Sequence, residues 1–278
     1  MLRVQSSDPR SLQDFLAKRL SLSRRAAKEI LDQRRVWVNR SCVWMARAAL
    51  RVGDVVELSK ALTKAPVKFH ARILWQDNDY LVCDKMAGRL SCGDDESVES
   101  FLRAQENCSS LAAVHRLDRD TTGCLLFAKN ARAKNAAIDV FKTHRVLKVY
   151  HAIVAGCFPV AHQRIDAPLD GEAARSVITR EAMGAEATLL RIRLETGRTN
   201  QIRRHLAKIR FPVVGDRVFG LKNARDARLL HVPRQMLHAS TLEMPHPLLK
   251  GETLRVHAPL PSDFRSALSL FGMGRRAR

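Results

Sequence analysis

The 278-residue sequence predicts an α+β protein: a mixed, largely antiparallel sheet with flanking helices, preceded by a small N-terminal α/β module. Three observations carry that expectation. Short apolar runs rich in Val, Leu and Ile recur from Ile73 onward, joined by both tight turns and helical stretches. A separate periodic set occupies residues 11–58. Between the two, residues 59–71 hold lysines and a proline without apolar periodicity and read as a linker. Hydrophobic residues make up 46% of the chain, enough for one large core, in residues 72–265, and one small one.

In the N-terminal module, Ser11 and Asp14 form a capping box, and Leu12, Phe15, Leu16 and Leu20 recur at helical spacing. A second helix follows Ser23, with Ala27, Ile30 and Leu31 facing inward. Its Arg24 and Lys28 share one side, with Arg25 beside them. Val36 to Asn39 reads as a short strand, and Val52 to Leu58 as a turn and a closing strand. In the larger region, Ile73-Leu74-Trp75 and Tyr80 to Lys85 flank Asp77-Asn78-Asp79, a hairpin signal. Cys124 to Ala128 is strand-like. Asn130 caps a helix to about His144, and strands cover Leu147–Val154 and Ala187–Leu194. A helix follows Asn200, with Ile202, Leu206 and Ile209 on its core face. Pro245-His246-Pro247 interrupts the late strands, Val256 to Phe264 closes the domain, and residues 266–278 read as a basic tail ending Arg275-Arg276-Ala277-Arg278.

The 48 Lys and Arg exceed the 28 Asp and Glu, a net charge of +20 that predicts attraction to a polyanion, nucleic acid first. Charge alone assigns no activity. Six cysteines are scattered without a C-x-x-C pair, so neither a disulfide framework nor a zinc site is expected. No metal-ligand spacing and no Gly-rich nucleotide loop occurs. No apolar run approaches a membrane span, and the N-terminus lacks the apolar core of a secretory signal. A cytoplasmic monomer is the expectation.

The run His115-Arg116-Leu117-Asp118-Arg119-Asp120-Thr121-Thr122-Gly123 is the richest in chemistry. By spacing alone Asp118 is either a functional carboxylate on a loop fixed by the core, or part of an ordinary turn in which Asp118 or Asp120 caps the backbone. The segment resembles the H-R-L-D-x-x-T-S-G box of the RNA pseudouridine synthases that modify ribosomal and transfer RNA, with Thr122 in place of serine. The resemblance implies that Asp118 is catalytic and that Asp120 occupies a variable position. It also implies a reaction without cofactor or metal: the bond from ribose to nitrogen 1 of uracil breaks, the base turns, and it rejoins through carbon 5. The carboxylate can attack carbon 1′ or remove the proton on carbon 2′, and the sequence leaves both routes open.

Two further boxes resemble that family. Leu194-Glu195-Thr196-Gly197-Arg198-Thr199-Asn200-Gln201-Ile202-Arg203-Arg204-His205 matches L-x-T-G-R-T-H-Q-I-R-x-H, with Asn200 replacing a histidine. Arg203 then corresponds to the arginine that pairs with the catalytic aspartate; read by itself, it is a surface arginine on an amphipathic helix. Arg198 holds either its loop or an RNA phosphate. Lys148-Val149-Tyr150-His151-Ala152 matches a K-x-Y-x-A strand, which implies that Tyr150 stacks on uracil and takes part in proton removal at carbon 5. A stacked uridine is out of reach, so the nucleotide must flip; Arg116 corresponds to an arginine that can fill the vacated space, or it contacts phosphate. His115 reads as a structural hydrogen bonder. Lys85-Met86-Ala87-Gly88 replaces Lys-Pro-Ala-Gly, and the missing proline predicts a looser turn.

The pattern Leu22-Ser23-Arg24-Arg25 … Val36-Trp37-Val38-Asn39 … Gly53-Asp54 resembles the alpha-L RNA-binding module, with added charge at Arg34-Arg35. That implies phosphate contacts by Arg24, Arg25 and Lys28. The substrate so implied is structured RNA, large-subunit ribosomal RNA by preference, with transfer RNA the other class. A catalytically silent RNA-binding or ribosome-assembly factor on the same fold is the alternative.

Overall fold

The computed structural model describes residues 2–32, 36–39, 41–43, 45–58, 71–143, 145–223, 226 and 228–274. The expected linker (through residue 70), the Arg34-Arg35 turn, His144 at the expected helix end, and the terminal Arg275-Arg276-Ala277-Arg278 lie outside them. The chain divides into two compact units, Met1–Lys68 and Phe69–Arg278.

The first unit contains β1 (Leu2–Arg3), α1 (Leu12–Arg19), α2 (Arg24–Asp32), β2 (Val36–Val38), β3 (Ser41–Cys42) and β4 (Val55–Leu58). The Ser11 hydroxyl accepts from the Asp14 N–H at 3.2 Å and donates to its carboxylate at 2.7 Å, so the capping box starts α1. Leu12, Phe15, Leu16, Ala27, Leu31, Val36 and Val56 form the core between the helices and the sheet, whose order is β1-β4-β2-β3. The expected start at residue 11 leaves out β1, which pairs Leu2 and Arg3 with Val56 and Val55. Two residues carry no periodicity, so only the partner strand defines β1.

The second unit runs β5 (Arg72–Gln76), β6 (Tyr80–Lys85), α3 (Val98–Gln105), β7 (Ala112–Ala113), β8 (Thr122–Ala128), α4 (Ala131–Lys142), β9 (Leu147–Ala155), β10 (His162–Asp166), β11 (Arg175–Met183), β12 (Ala187–Leu194), α5 (Gln201–Lys208), α6 (Arg228–His231), β13 (Leu237–Pro245), β14 (Thr253–His257) and α7 (Ser262–Leu270). The sheet order is β10-β11-β12-β9-β13-β8-β6-β5, with β14 on β13 and β7 on β8. Among the described strands only β13 and β8 pair in parallel, through His238–Thr122 and Ala239–Gly123. The sheet is thus mixed and largely antiparallel, as strands joined by both tight turns and helices predict. β8 reads as a continuous apolar run because both of its faces are covered.

One face of the sheet buries Leu117, Tyr150, Leu194, Ile202, Leu206 and Leu237 together, so the loop of Asp118 and the start of α5 sit on this core. Ile153, Leu189, Phe264, Ala267, Leu268, Phe271 and Met273 form another core. That second core corrects the expected domain end. The boundary at 265 falls inside α7, and the residues after it are structural; the arginines at the extreme C-terminus mask an amphipathic helix just before them.

Candidate active site

Asp118 lies on the loop between β7 and β8, and its conformation is fixed from below. The buried Lys85 ammonium donates to the carbonyls of Met86 (3.0 Å), Arg119 (2.8 Å) and Thr121 (3.0 Å). The Gly88 N–H donates to the Arg119 carbonyl, so the turn that lacks its proline is tied to the same loop. The Ser91 hydroxyl accepts from the Leu117 N–H and donates to its carbonyl, and Arg234 donates to the carbonyl of Asp120 at 3.1 Å. Gly123 has φ +108°, and a Cβ there would lie 2.1 Å from the Ala239 carbonyl oxygen. Only glycine lets β8 meet β13 at that point.

Arg203, on the first turn of α5, points into the protein rather than to solvent. Its Nη1 donates to Asp118 Oδ2 at 3.0 Å and to Asn200 Oδ1 at 2.6 Å. Its Nε and Nη2 bind Asp216 Oδ2 and Oδ1 at 2.6 and 2.9 Å, a bidentate fork. The Arg203 side chain is 8% exposed, that of Asp216 0% and that of Asp118 28%, so the guanidinium joins a buried carboxylate to one that solvent reaches. Burial alone would raise the Asp216 pKa. The Arg203 hydrogen bonds, with the N–H groups of Phe219 and Val218, outweigh it and hold the pKa below the ordinary carboxylate value. Asp118 Oδ1 accepts no hydrogen bond among the described residues.

The preceding turn is locked by Gln201. Its amide oxygen accepts from the Thr196 hydroxyl at 2.7 Å and from the Arg198 N–H at 3.0 Å, while its amide nitrogen donates to the Arg175 carbonyl. Asn200 adopts a left-handed φ of +54°, and its side chain serves Arg203 rather than the helix N-terminus. This is what the asparagine does at the position where the resembling motif has histidine.

Tyr150, buried on β9, lines a cleft of about 310 Å³ with Arg116, Asp118, Lys148, Leu194 and Arg198; a smaller recess beside it contains Arg203. Its hydroxyl has no hydrogen-bond partner among the described residues. Burial, and then the nearby Asp118 charge, push its pKa well above the usual phenol value, so the phenol is protonated in the free protein. Arg116 is exposed at the rim. Arg198 holds its loop: it donates to the Ala173 carbonyl at 3.1 Å and pairs with Glu172 at 2.7 Å. His115 is structural. Its Nε2 accepts from the Leu126 N–H at 3.2 Å and its ring stacks on Phe141.

In the other unit, Arg24, Arg25 and Lys28 are exposed on α2, and Arg24 pairs with Asp14 at 2.9 Å. Arg203 pairs with Asp118, and no hydrogen bond or ion pair among the described residues joins it to Asp120.

Sequence reasoning assigned no roles to Asp216, Lys85 and Arg234. Gly215 carried the available signal for the first. Its φ is +76° and a Cβ would lie 1.9 Å from the Arg234 carbonyl oxygen, so the chain needs glycine just before Asp216. No groups of three or more His, Cys, Asp or Glu among the described residues could hold a metal ion, and no described helix is long and apolar enough to cross a membrane.

Residues 79–208, which carry all three motifs, match the RNA pseudouridylate synthase family. Over 258 residues the chain is 34% identical to the ribosomal large subunit pseudouridine synthase D of Xanthomonas campestris pv. campestris, covering 80% of this chain and 77% of that one. The protein of the same name from Pasteurella multocida is 32% identical over 276 residues, covering 87% and 85%. Among solved structures, human RNA pseudouridylate synthase domain containing 1 superposes with a TM-score of 0.60 at 24% identity, covering 69% of this chain and 84% of that one, which speaks to the fold. Sequence, fold and site geometry converge: the chain belongs to the RNA pseudouridylate synthase family.

Proposed function

We propose that this protein converts specific uridines of large-subunit ribosomal RNA to pseudouridine, with Asp118 as the group that acts at the ribose. The observation that carries this reading is the single-point pairing of Asp118 with Arg203. One carboxylate oxygen is held by a guanidinium that Asp216 fixes from behind, and Oδ1 accepts from no donor among the described residues in an open cleft. Such a carboxylate suits either attack at carbon 1′ or proton removal from carbon 2′. Tyr150 offers a ring face to the uracil and a protonated hydroxyl near the reacting base. The isomerisation has no net redox change, and this reading assigns each step to side chains of the chain itself. Arg116, at the rim, takes the place of the flipped base or holds its phosphate.

The ribosomal substrate rests on what the relatives from Xanthomonas and Pasteurella are named for. Charge supports it: a net +20 suits a polyanion. Arg24, Arg25 and Lys28 on α2 add phosphate contacts that position the RNA without reading its sequence. The protein works as a monomer in the cytoplasm. The test is to incubate it with unmodified ribosomal and transfer RNA and map pseudouridine at nucleotide resolution. Discrete new sites in large-subunit RNA are expected. Sites in transfer RNA alone would replace the substrate class, and no sites on any RNA would leave an RNA-binding factor without activity.

A further inference from the structure

The larger unit has a second concavity beside the Asp118 cleft. It occupies about 500 Å³ where β9 begins and β12 ends, and Leu194 and Arg198 line both spaces. Its lining is rich in guanidinium groups: Arg145, Arg175, Arg193 and Arg198. The sheet register extends this charge outward. Arg193 lies opposite Val177, which lies opposite Arg164, so Arg193 and Arg164 share one face of three neighbouring strands. Both side chains are more than half exposed.

The bland account is a ladder of surface ion pairs, and part of the patch fits it. Arg175 pairs with Asp166 at 3.1 Å and Arg198 with Glu172 at 2.7 Å. The account leaves charge over, however. Arg164 and Arg193 divide one carboxylate between them, at 3.2 and 3.3 Å from the two oxygens of Glu195. Arg145 meets no carboxylate among the described residues; its Nε donates to the Thr143 hydroxyl at 3.3 Å. Exposed pairs of this kind are worth little and exchange readily for a stronger anion. The patch is therefore a concave, net-positive surface that adjoins the Asp118 cleft, sharing Leu194 and Arg198 with it.

We propose that this cleft holds the sugar-phosphate backbone of the RNA strand flanking the flipped uridine, with Arg145 and Arg193 as its principal phosphate contacts. The proposal rests on Asp118 marking the position of the reacting nucleotide. A strand whose base enters the Asp118 cleft must leave it with its phosphates nearby, and this adjoining surface has guanidinium groups to spare. The contacts are to backbone and confer placement rather than base identity.

The test compares the full-length Arg145→Gln/Arg193→Gln variant with a control, Arg255→Gln/Lys250→Gln, that removes the same charge from the β13–β14 region. Substrate is an unmodified large-subunit ribosomal RNA transcript, and KM and kcat are followed from low to moderate salt. For the cleft variant KM should rise roughly tenfold near physiological salt with kcat within about twofold. The slope of log KM against log salt should fall by roughly 1.4, about 0.7 for each single-strand phosphate contact. The control should follow the wild type. Equal behaviour of cleft and control variants would overturn the proposal while leaving the catalytic reading intact. A wild type that forms no pseudouridine on any RNA would instead remove the catalytic reading and the proposal with it.

Discussion

Asp216, not Asp118, takes the larger share of the Arg203 guanidinium, two hydrogen bonds at 2.6 and 2.9 Å against one at 3.0 Å. The buried carboxylate sets the plane and position of the guanidinium, and the partly exposed one is then held by what remains. A catalytic group fixed at a single oxygen keeps the other for the substrate. A group held by both oxygens would have to break a contact first.

Asp216→Asn therefore separates the anchor from the acting group. It leaves a buried guanidinium without its main counter-charge, which costs about 3 kcal/mol of stability or more. Denaturant unfolding should show that loss, and kcat should fall at temperatures where the variant is still folded, because Arg203 is no longer fixed. Unchanged stability would mean that Asp118 and solvent suffice to hold Arg203.

Tyr150→Phe keeps the ring and removes the hydroxyl. If that hydroxyl takes part in proton movement at carbon 5, kcat should fall by roughly 10²-fold with KM little changed. Steady-state kinetics on an RNA transcript checks this. A variant with wild-type kcat would restrict Tyr150 to stacking.

The pH dependence of stability has a definite sign. His238 is fully buried, its Nε2 facing the Ala258 carbonyl at 3.1 Å and its Nδ1 the Thr122 hydroxyl at 2.8 Å. Burial holds its pKa down to about 4, against an ordinary 6.5. His115 is lowered to about 4 as well, by burial first and then by the Lys148 charge. Both are neutral when folded, while the unfolded chain takes up protons below pH 6.5. Stability is thus fully present above about pH 6.5 and falls as the pH drops toward 4. Thermal unfolding across that range should show the decline, and His238→Gln should flatten it by on the order of 5 °C.

Replacing Arg24, Arg25 and Lys28 together by alanine should weaken RNA binding and lower its log–log salt slope by roughly 2 to 3, with kcat unchanged at saturating RNA. Binding titrations at several salt concentrations measure it. An unaltered slope would remove α2 from the substrate interface.

What the sequence made legible follows from locality. Asn130 caps α4, its side-chain oxygen accepting from the Ala133 N–H at 2.8 Å, and β12 spans Ala187 to Leu194, because caps and apolar runs are properties of neighbouring residues. The closeness of Asp118 and Arg203 came from matched motifs, since no periodicity links residues 85 positions apart. The Asp216 fork, the Lys85 knot beneath the Asp118 loop and the parallel pairing of β8 with β13 depend on contacts between distant segments. Taken by itself, Arg203 reads as a surface residue because its helix is amphipathic; its burial comes from Asp216, on a different loop. α7 was hidden for a simpler reason: the basic residues at the chain end masked the apolar face of Phe264, Ala267, Leu268 and Phe271.

The most direct test is single-turnover modification of a ribosomal RNA transcript by Asp118→Asn beside the wild type, with RNA affinity and thermal stability measured on the same preparations. The substitution keeps the volume and an oxygen facing Arg203 but removes the charge proposed to act at the ribose. The account predicts that pseudouridine formation disappears while affinity and folding are retained. Near-normal turnover by the variant would contradict it and move the chemistry away from Asp118.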